Sequence, residues 1–547
     1  MQRIHLSDNI WQQLCDFAKN VPTLNDLFAQ QSDRGLDFTA SACGIYADFS
    51  KQKIDTAIFE ALLNLASKRN LSQQIQQLLA GVAVNDTEHR AALHTALRLP
   101  KDSALWLDDV NVVEQVHASL DKLANIVERI RSGIWRGYSG QAITDVVNIG
   151  VGGSDLGPLM ATTALTEWSD TDIRVHFVSN MDGTQLDGLL KILHPKTTLF
   201  IISSKSFGTV DTLSNAKTAL AWLMASHRNK DTVLRRHFVG ISTRSDKMTA
   251  WGIHTDNQLM LWDWVGGRFS MWSAIGLAIA VKIGMANFRQ LLAGAHAMDE
   301  HFAKADFRHN LPVILGLLGV WNSTFLGIHA HAVLPYDGRL AFFPNYLTQL
   351  EMESNGKSVN RQGQMVDYDT CPILWGDIGS NAQHAFYQLL HQGTQKVSCD
   401  FIAPIRRYTD AQKPNANLIE QHRLSLANCL AQSQVLAFGN QALQQSAIIA
   451  DEQQNFKQYR GDQPSTTLLL DSLSPKTLGS LIALYEHKVF VMSVIWQINP
   501  FDQWGVEVGK VMANSVFAAL NDPQMPAKFD SSTNALLTII QHQQSIN

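Results

Sequence analysis

The sequence of 547 residues is poor in charge and contains no block of basic residues. Charged residues make up 17% of the chain, below the roughly 25% of an average soluble domain. The formal net charge is −5, whereas nucleic-acid binding needs a basic face that displaces counterions from phosphates. We therefore expect no nucleic-acid partner. A small anionic ligand is compatible with this composition, because a few focused cations are enough to bind it.

Cysteine is also scarce, and its spacing argues against a disulfide framework. The chain has five cysteines, an odd number, and no C-x-x-C pair occurs among them. This pattern indicates reduced thiols in packed positions. They are Cys15, Cys43, Cys371, Cys399 and Cys429.

The sequence has no pattern typical of a targeting or membrane-spanning segment. Polar and charged residues within 1–9 interrupt any apolar core of a signal peptide. The most apolar stretch, residues 312–328, is broken by Trp321-Asn-Ser-Thr and falls short of the roughly 20 apolar residues that a membrane span requires. We expect a buried helix at 312–328 and a cytoplasmic protein with no membrane partner.

The spacing of apolar residues changes along the chain, and this change predicts the fold class. Residues 1–120 have the apolar spacing of amphipathic helices. From about residue 140, short β-branched runs alternate with helical patterns, which is typical of βαβ units and a parallel sheet. These runs lie at residues 142–151, 173–178, 198–202 and 237–241. A second series follows a long apolar helix after about residue 310, with runs at 371–376, 396–403 and 466–470.

The predicted fold class is therefore α/β, with two doubly wound parallel-sheet domains and a helical extension at each end. A single core rarely grows past roughly 250–300 residues, so two domains are expected for this length. The predicted division is a helical N-terminal extension at 1–120, α/β domains at 121–290 and 291–500, and a helical C-terminal region at 501–547.

A glycine-rich segment, Gly-Val-Gly-Gly-Ser-Asp at 150–155, follows the first predicted strand. Free N–H groups at a helix start bind anions, and glycines let an anion approach closely. The dinucleotide pattern G-x-G-x-x-G requires glycine at position 155, where Asp155 stands instead. A carboxylate there would repel a pyrophosphate, so this is not a dinucleotide loop. A tight structural turn is the alternative.

The third predicted strand runs into a loop rich in hydroxyl groups, Ser-Ser-Lys-Ser-Phe-Gly-Thr-Val-Asp-Thr at 203–212. Several short donors together with the ammonium of Lys205 suit the three oxygens of a phosphate monoester. The loop also lies at the carboxyl end of a strand, where open α/β sheets bind ligands. A helix cap is the alternative for this segment alone, but the neighbouring glycine loop favours phosphate binding.

Four further segments carry groups suited to proton transfer. Arg268 lies between glycines and an aromatic residue, where it can stabilise an oxyanion or form an ordinary ion pair. Glu351 and Glu353 precede a turn, and a carboxylate is a suitable base for a proton next to a carbonyl, although most such side chains are only solvated. His384 follows a glycine-rich turn and can transfer protons near neutral pH, or cap a helix. Lys510 could equally be a surface lysine.

Six segments, in order over most of the chain, resemble the phosphoglucose isomerase family. They include Gly-Gly-Arg-Phe-Ser near Arg268, Met-Glu-Ser-Asn-Gly-Lys around Glu353, and Phe-Asp-Gln-Trp-Gly-Val-Glu-x-x-Lys ending at Lys510. The six segments lie at residues 150–158, 263–273, 334–337, 352–357, 379–394 and 494–510.

The resemblance implies a reaction, an assembly and a fold. Members of this family interconvert glucose 6-phosphate and fructose 6-phosphate through ring opening and a cis-enediolate, a step of glycolysis and gluconeogenesis. The implied fold is a pair of sugar-isomerase (SIS-type) domains. The implied assembly is an obligate homodimer whose active site is shared between subunits, with no metal and no organic cofactor.

The resemblance also implies residue roles. Glu353 would carry the proton between C1 and C2, and Arg268 would stabilise the enediolate. His384, supplied by the neighbouring subunit, and Lys510 would open the sugar ring. Residues expected to bind the phosphate are Ser204, Lys205, Ser206 and Thr209. Residues expected to line the sugar are Gly153, Ser154, Gln349 and Gln503.

The phosphate loop departs from the family pattern. The family usually has Ser-Lys-Thr-Phe-Thr-Thr-Gln-Glu-Thr, whereas this chain has Ser-Lys-Ser-Phe-Gly-Thr-Val-Asp-Thr. Ser206 keeps a hydroxyl donor. Gly208, Val210 and Asp211 are expected to change loop stiffness and affinity, but not the reaction class.

Two rival functions are weaker. A non-catalytic sugar-phosphate sensor would keep the phosphate loop but would not need Glu353, His384 and Lys510 together. A metallohydrolase would be built around His329 and His331, yet this H-x-H has no third ligand at a convincing spacing.

Overall fold

The computed structural model describes residues 3–4, 8–408, 414–442, 454–522 and 529–544. The signal-peptide expectation rests on residues 1–9, of which 1–2 and 5–7 lie outside the described residues. The chain divides into two compact units, Met1–Pro500 and Phe501–Asn547. Both main sheets belong to the first unit, so the two α/β halves are packed as one body.

The first sheet has five strands, all parallel. Its two central strands are buried at every position and rich in valine and isoleucine, as expected for a sheet covered on both faces. From one edge to the other, the strands are Arg174–Val178, Asp145–Gly150, Thr198–Ser203, Phe238–Ser242 and Gln258–Met260.

The strand order of this sheet determines where a ligand can bind. Numbered along the chain, the order is second, first, third, fourth, fifth. The direction of winding therefore reverses between Asp145–Gly150 and Thr198–Ser203, which pair directly. Ligands of doubly wound sheets bind in the crevice at such a reversal, outside the carboxyl ends of the strands. The glycine loop and the hydroxyl-rich loop leave these two strand ends.

The second sheet has six strands, four of them parallel. Its parallel part repeats the order second, first, third, fourth, so the two halves share a winding pattern. The remaining two strands form an antiparallel hairpin from the N-terminal segment, which pairs with the last parallel strand. The strands in order are Ile373–Gly376, Ala330–Pro335, Ser398–Arg406, Ser465–Ser472, Ile45–Asp48 and Thr39–Ala42.

All seven predicted strands are confirmed, with ends that differ by a few residues. Three features differ from the sequence analysis. The N-terminal segment contains the hairpin as well as helices. The hairpin was not predicted because its strands are only four residues long and pair with a strand far along the chain. Strands Gln258–Met260 and Ala330–Pro335 were also not predicted, the first because it is only three residues long.

Helices cover both sheets, as the βαβ pattern predicts. Two short strand pairs, Arg3–Ile4 with Met365–Val366 and Trp106–Leu107 with Val110–Asn111, lie outside the main sheets. The α-helices of the first unit are Asn9–Lys19, Leu24–Gln30, Arg34–Asp37, Thr56–Lys68, Leu71–Leu79, Val112–Arg131, Leu156–Ala164, Thr184–Leu190, Val210–Ser226, Lys230–His237, Ser245–Trp251, Leu277–Lys304, Leu311–Val320, Phe343–Leu347, Gly379–Ala385, Tyr387–Gln392, Ala416–Phe438 and Pro475–Trp496.

One helix, Pro475–Trp496, is buried along nearly its whole length. Ser474 caps it by accepting a hydrogen bond from the backbone N–H of Thr477, and Pro475 occupies the first turn, where its missing N–H costs nothing. The helix packs against Leu277–Lys304 and Leu311–Val320. The helix therefore lies in the interior of the first unit.

Two helices, Ala274–Lys304 and Pro475–Trp496, are long and apolar enough to cross a membrane on length and composition. Their most apolar windows are 61% and 100% buried inside the fold, as in core helices of globular proteins. The buried helix predicted at 312–328 is confirmed as Leu311–Val320, which ends in a π-helical turn, Trp321–Phe325.

The second unit is helical within its described residues. A short 3₁₀ turn, Trp504–Val506, leads into helix Glu507–Asn521, and helix Ser531–Gln544 follows. Both helices leave large apolar side chains exposed, namely Val508, Val511, Met512, Phe517, Leu536, Ile539 and Ile540.

Candidate active site

The glycine loop is held tightly against the segment that carries Arg268. Gly152 has a φ of +61°, a left-handed conformation that favours glycine. A Cβ atom on Gly153 would lie 2.0 Å from the carbonyl oxygen of Gly267 and 2.7 Å from the backbone nitrogen of Arg268. Only glycine at 153 allows this approach. The two segments predicted to line the site are therefore in contact.

Asn148 connects the two loops at the switch point. It is fully buried in the central strand Asp145–Gly150. Its Nδ2 donates to the carbonyl oxygen of Ser154 at 2.9 Å, and its Oδ1 accepts from Ser203 Oγ at 3.0 Å. Sequence analysis missed this residue, although an asparagine within an apolar central strand is a usable signal, since a buried amide needs partners.

Asp155, which excluded the dinucleotide pattern, is a buried carboxyl group. It precedes helix Leu156–Ala164, and its Oδ1 has no hydrogen-bond partner within the described part of the chain. Burial raises the pKa of Asp155 to about 6, against the effect of a hydrogen bond with Ser179, which lowers it. The carboxyl group therefore keeps most of its negative charge at neutral pH and loses it as the pH falls through about 6.

The hydroxyl-rich loop is a compact turn with donors on its surface. Ser204 is buried and its Oγ is 3.1 Å from Thr209 Oγ1, while Ser206 is exposed. Phe207 has a φ of +43° and places its ring in the core, which anchors the turn. Thr209 immediately precedes helix Val210–Ser226. Hydroxyl groups are thus gathered at a helix start, as predicted.

Lys205 reaches across to the segment before Arg268. Its Nζ donates to the carbonyl oxygens of Asp263 and Val265, at 2.9 and 2.8 Å. Burial and, to a smaller extent, the nearby Arg90 lower the pKa of Lys205 to about 8, although Asp263 and Glu88 act in the opposite direction. The turn that carries Glu88 and Arg90 comes from the N-terminal segment and was not predicted at this site.

Arg268 and Glu353 form the charged centre of the candidate site. Arg268 Nη1 lies 3.6 Å from Glu353 Oε1, and the arginine side chain is 1% exposed against 24% for the glutamate. Arg268 Nε donates to Ser354 Oγ at 2.6 Å, and Nη2 donates to the carbonyl oxygen of Pro500. The guanidinium is therefore fixed from several sides, whereas the carboxylate still faces solvent.

Glu353 ends a π-helical turn, Thr348–Glu353, that also carries Gln349. Such turns are rare and are frequent at functional sites. A Cβ on Gly152 would lie 3.0 Å from Gln349 Nε2, so the amide lies against the glycine loop. Gln349 Oε1 is buried and has no hydrogen-bond partner within the described ranges, which leaves it available to a ligand hydroxyl.

The remaining predicted residues lie on other elements. His384 is exposed on the short helix Gly379–Ala385 and, among the described residues, has no hydrogen bond or ion pair with Glu353. Gln503 and Lys510 belong to the second unit, where Lys510 pairs with Glu507 at 3.0 Å. Within the first unit, the structure brings Gly153, Gln349, Glu353 and Arg268 together.

The rival metal site at His329 and His331 is not formed. The side chain of His329, which precedes strand Ala330–Pro335, is 64% exposed, whereas that of His331, which lies within the strand, is 10% exposed. Both ring nitrogens of His331 are engaged, with Ser398 Oγ at 2.8 Å and Asp400 Oδ2 at 3.0 Å. The two imidazoles therefore do not chelate one ion.

Comparison with known proteins points to one family. The family model described as phosphoglucose isomerase matches residues 48–537. The glucose-6-phosphate isomerase of Psychrobacter cryohalolentis is 66% identical over 532 residues, which is 96% of each chain. That of Acinetobacter venetianus is 56% identical over 94% of each chain.

A solved structure also matches over nearly the whole length. The crystal structure of a glucose-6-phosphate isomerase from Chlamydia trachomatis has a TM-score of 0.86 and 30% sequence identity. It covers 98% of this chain and 99% of its own. Sequence and fold agree over the same residues, and on these grounds the chain belongs to the phosphoglucose isomerase family.

Proposed function

We propose that this chain catalyses the reversible isomerisation of D-glucose 6-phosphate and D-fructose 6-phosphate, a step of glycolysis and gluconeogenesis. The observation that carries the proposal is the Arg268–Glu353 pair, 3.6 Å apart, beside a glycine loop. That loop and the hydroxyl-rich loop leave the two strands of the switch point. The relatives named above are glucose-6-phosphate isomerases.

The hydroxyl-rich loop binds the phosphate and thereby orients the distant carbon atoms. Ser204, Ser206 and Thr209 supply hydroxyl donors, and Lys205 supplies a positive charge. The sugar lies along Gly153, Ser154, Gln349 and Gln503. Fixing the phosphate end of the substrate converts binding energy into orientation of the C1–C2 unit at Glu353.

Glu353 and Arg268 carry the isomerisation. In the open-chain aldose, the Glu353 carboxylate removes the proton from C2, and the electron pair moves to give a cis-enediolate. Arg268 stabilises the oxygen that becomes negative, so its interaction is stronger in the transition state than in the ground state. A proton passes from O2 to O1, Glu353 returns its proton to C1, and the ketose is formed without any net gain or loss of electrons or protons.

His384 and Lys510 open the ring by proton transfer, and His384 comes from the partner subunit of a homodimer. Two observations support the shared site: His384 is exposed on its own chain, and the C-terminal helices leave a series of large apolar side chains exposed. Exposed apolar patches of this kind mark association surfaces. The proposed enzyme uses no metal or organic cofactor, is cytoplasmic, and has no nucleic-acid or membrane partner.

Replacement of Glu353 by glutamine tests the assignment of the base. The amide keeps the shape of the side chain but accepts no proton, so kcat should fall by roughly 10²–10⁴-fold while KM changes little. The measurement is a coupled assay of fructose 6-phosphate conversion. Glu300→Gln, in an exposed pair with Lys304, is the control. Near-normal turnover by Glu353→Gln would show that another group is the base.

A mixing experiment tests the shared site. Glu353→Gln and His384→Gln are each expected to be nearly inactive alone. After dissociation and reassociation of an equal mixture, half of the dimers are hybrids, and each hybrid has one intact site. Turnover should then recover to about a quarter of the wild-type value, as follows from the symmetry of a twofold dimer. Absence of recovery in verified hybrids would assign His384 to the site of its own chain.

A further inference from the structure

The buried helix Pro475–Trp496 carries four polar residues in succession at its centre, each at most 3% exposed. Successive residues of an α-helix point roughly 100° apart, so each meets a different neighbouring element. The contacts are Tyr485 with Asp400 at 2.8 Å, Glu486 with Arg98 at 2.7 Å and Trp272 at 2.8 Å, His487 with Asp299 at 2.7 Å, and Lys488 with Glu351 at 2.9 Å.

The last of these contacts reaches the candidate site. The side chains of Lys488 and Glu351, taken without the backbone, are 4% and 1% exposed, so both charges are removed from water. Removing two charges from water is costly, and an apolar pair of similar volume often stabilises a core as well or better. Stability alone therefore does not explain why this buried ion pair is present. Its position in the structure indicates a second role.

Glu351 is part of the π-helical turn Thr348–Glu353, midway between Gln349 and Glu353. Residues four apart share one face of a helical turn, while the residue between them points to the opposite side. The observed contacts agree: Gln349 lies against Gly152 and Glu353 faces Arg268, whereas Glu351 points into the core toward Lys488. The ion pair thus holds the turn from behind.

We propose that Lys488 is a positioning residue of the isomerisation: through its ion pair with Glu351, it fixes the π-helical turn so that the Glu353 carboxylate faces Arg268 and the substrate. The inference rests on the proposed function, because it concerns the same carboxylate. Lys488 touches neither Glu353 nor the substrate in this account. It acts by limiting where the turn can lie, and misplacement by about 1 Å can cost roughly a hundredfold in rate.

Four variants separate positioning from stability. Lys488→Met removes the cation and should lower kcat about a hundredfold with little change in KM. Glu351→Gln keeps an acceptor oxygen for Lys488 and should stay within about threefold of wild type. Glu351→Leu/Lys488→Met replaces the pair by apolar groups, which should restore thermal stability but not kcat. Lys53→Met, which breaks a partly buried ion pair with Asp462 away from the candidate site, is the control.

The readouts are kcat and KM from the coupled assay and the thermal midpoint of each variant. The inference predicts that Lys53→Met loses stability but keeps kcat. It also predicts that Glu351→Leu/Lys488→Met is no slower than Lys488→Met, because both variants break the same ion pair. If the double variant recovers kcat together with its midpoint, Lys488 serves only to balance charge and the inference is wrong. Should Lys488→Met fail to fold, the double variant decides alone.

Failure of this inference is distinguishable from failure of the proposed function. A wild-type protein that does not convert fructose 6-phosphate would overturn both. An active wild-type protein, with a Lys488→Met variant as fast as Lys53→Met, would overturn the positioning role alone.

Discussion

The two ends of the candidate site are built in opposite ways. At the proposed phosphate end, which is the hydroxyl-rich loop, Ser206 is exposed, and Lys205 is held by two backbone carbonyls. At the proposed reaction end, the Arg268 side chain is 1% exposed and is fixed by Ser354, Pro500 and Glu353. Groups near solvent suit a part of the ligand that does not react. Buried, fixed charge suits the atoms where new charge develops.

The difference extends to what lies behind each end. The hydroxyl-rich loop is backed by an ordinary apolar core, into which Phe207 packs. The Arg268–Glu353 pair is backed by buried polar groups of helix Pro475–Trp496. Rate should therefore be sensitive to substitutions deep behind the reaction end, whereas affinity should depend mainly on the few donors at the phosphate end.

The largest effect is expected for Arg268→Lys. Lysine keeps the charge but cannot bond Ser354, Pro500 and Glu353 at once, because its single ammonium lacks the planar fork of arginine. Loss of one fixed oxyanion donor costs about 10²–10³-fold in kcat. Steady-state kinetics should show this fall with KM nearly unchanged. A rise in KM at constant kcat would instead place Arg268 in substrate binding and break the comparison.

A smaller effect, on KM rather than on kcat, is expected for Lys205→Gln. A hydrogen bond to a charged group contributes about 1.5–3 kcal/mol, so loss of the ammonium should raise KM for fructose 6-phosphate by roughly 10–100-fold. The value of kcat should change by only a few-fold, because the reacting groups are untouched. A large fall in kcat at constant KM would show that the two ends are not separate.

The smallest effect is a pH dependence from the same residue. The pKa of Lys205 is lowered to about 8 by burial, so its positive charge is present below pH 8 and is lost as the pH rises through that value. The ratio kcat/KM, which reports the free enzyme, should fall on the alkaline side near pH 8. Lys205→Arg, whose guanidinium does not titrate there, should keep the ratio level to higher pH. If kcat/KM of Lys205→Arg falls near pH 8 as in the wild type, the titration belongs to another group.

Sequence analysis was most successful where function depends on local chain geometry. Gly153 and the hydroxyl-rich loop follow strands, and strand ends at a switch point meet for topological reasons. The pattern of β-branched runs therefore predicted both the α/β fold and the place where these loops come together. The family resemblance then gave Arg268 and Glu353 their expected roles, and the structure places the two side chains in contact.

Contacts between residues far apart in sequence were not predictable in the same way. Nothing in the local pattern around Glu88 and Arg90 indicates that their turn lies near Lys205. The link between Lys488 and Glu351 likewise depends on how helix Pro475–Trp496 packs, and a lysine in an apolar helix indicates only that some partner exists. The roles of His384, Gln503 and Lys510 stay predictions.

The altered phosphate loop is accommodated without close contacts. A Cβ on Gly208 would come no nearer than 3.5 Å to any neighbour, Lys247 Nζ being the closest, and Val210 is exposed. Lys247 also donates to the carbonyl oxygen of Ser206 at 3.2 Å, which ties the turn to the neighbouring helix. The effect of these residues on affinity stays a prediction.

The N-terminal hairpin sets an order of events during synthesis. Strand Ile45–Asp48 pairs with Ser465–Ser472, and nearby Gln52 bonds Thr466 across 414 residues of chain. At roughly 5–20 residues per second, a ribosome needs on the order of 20–80 s to supply that partner. Throughout this time the edge of strand Ile45–Asp48 has no partner strand. Unpaired backbone groups at such an edge can pair with another chain. The nascent N-terminal hairpin is therefore a segment that benefits from protection, for example by a chaperone, until its partner strand has been made.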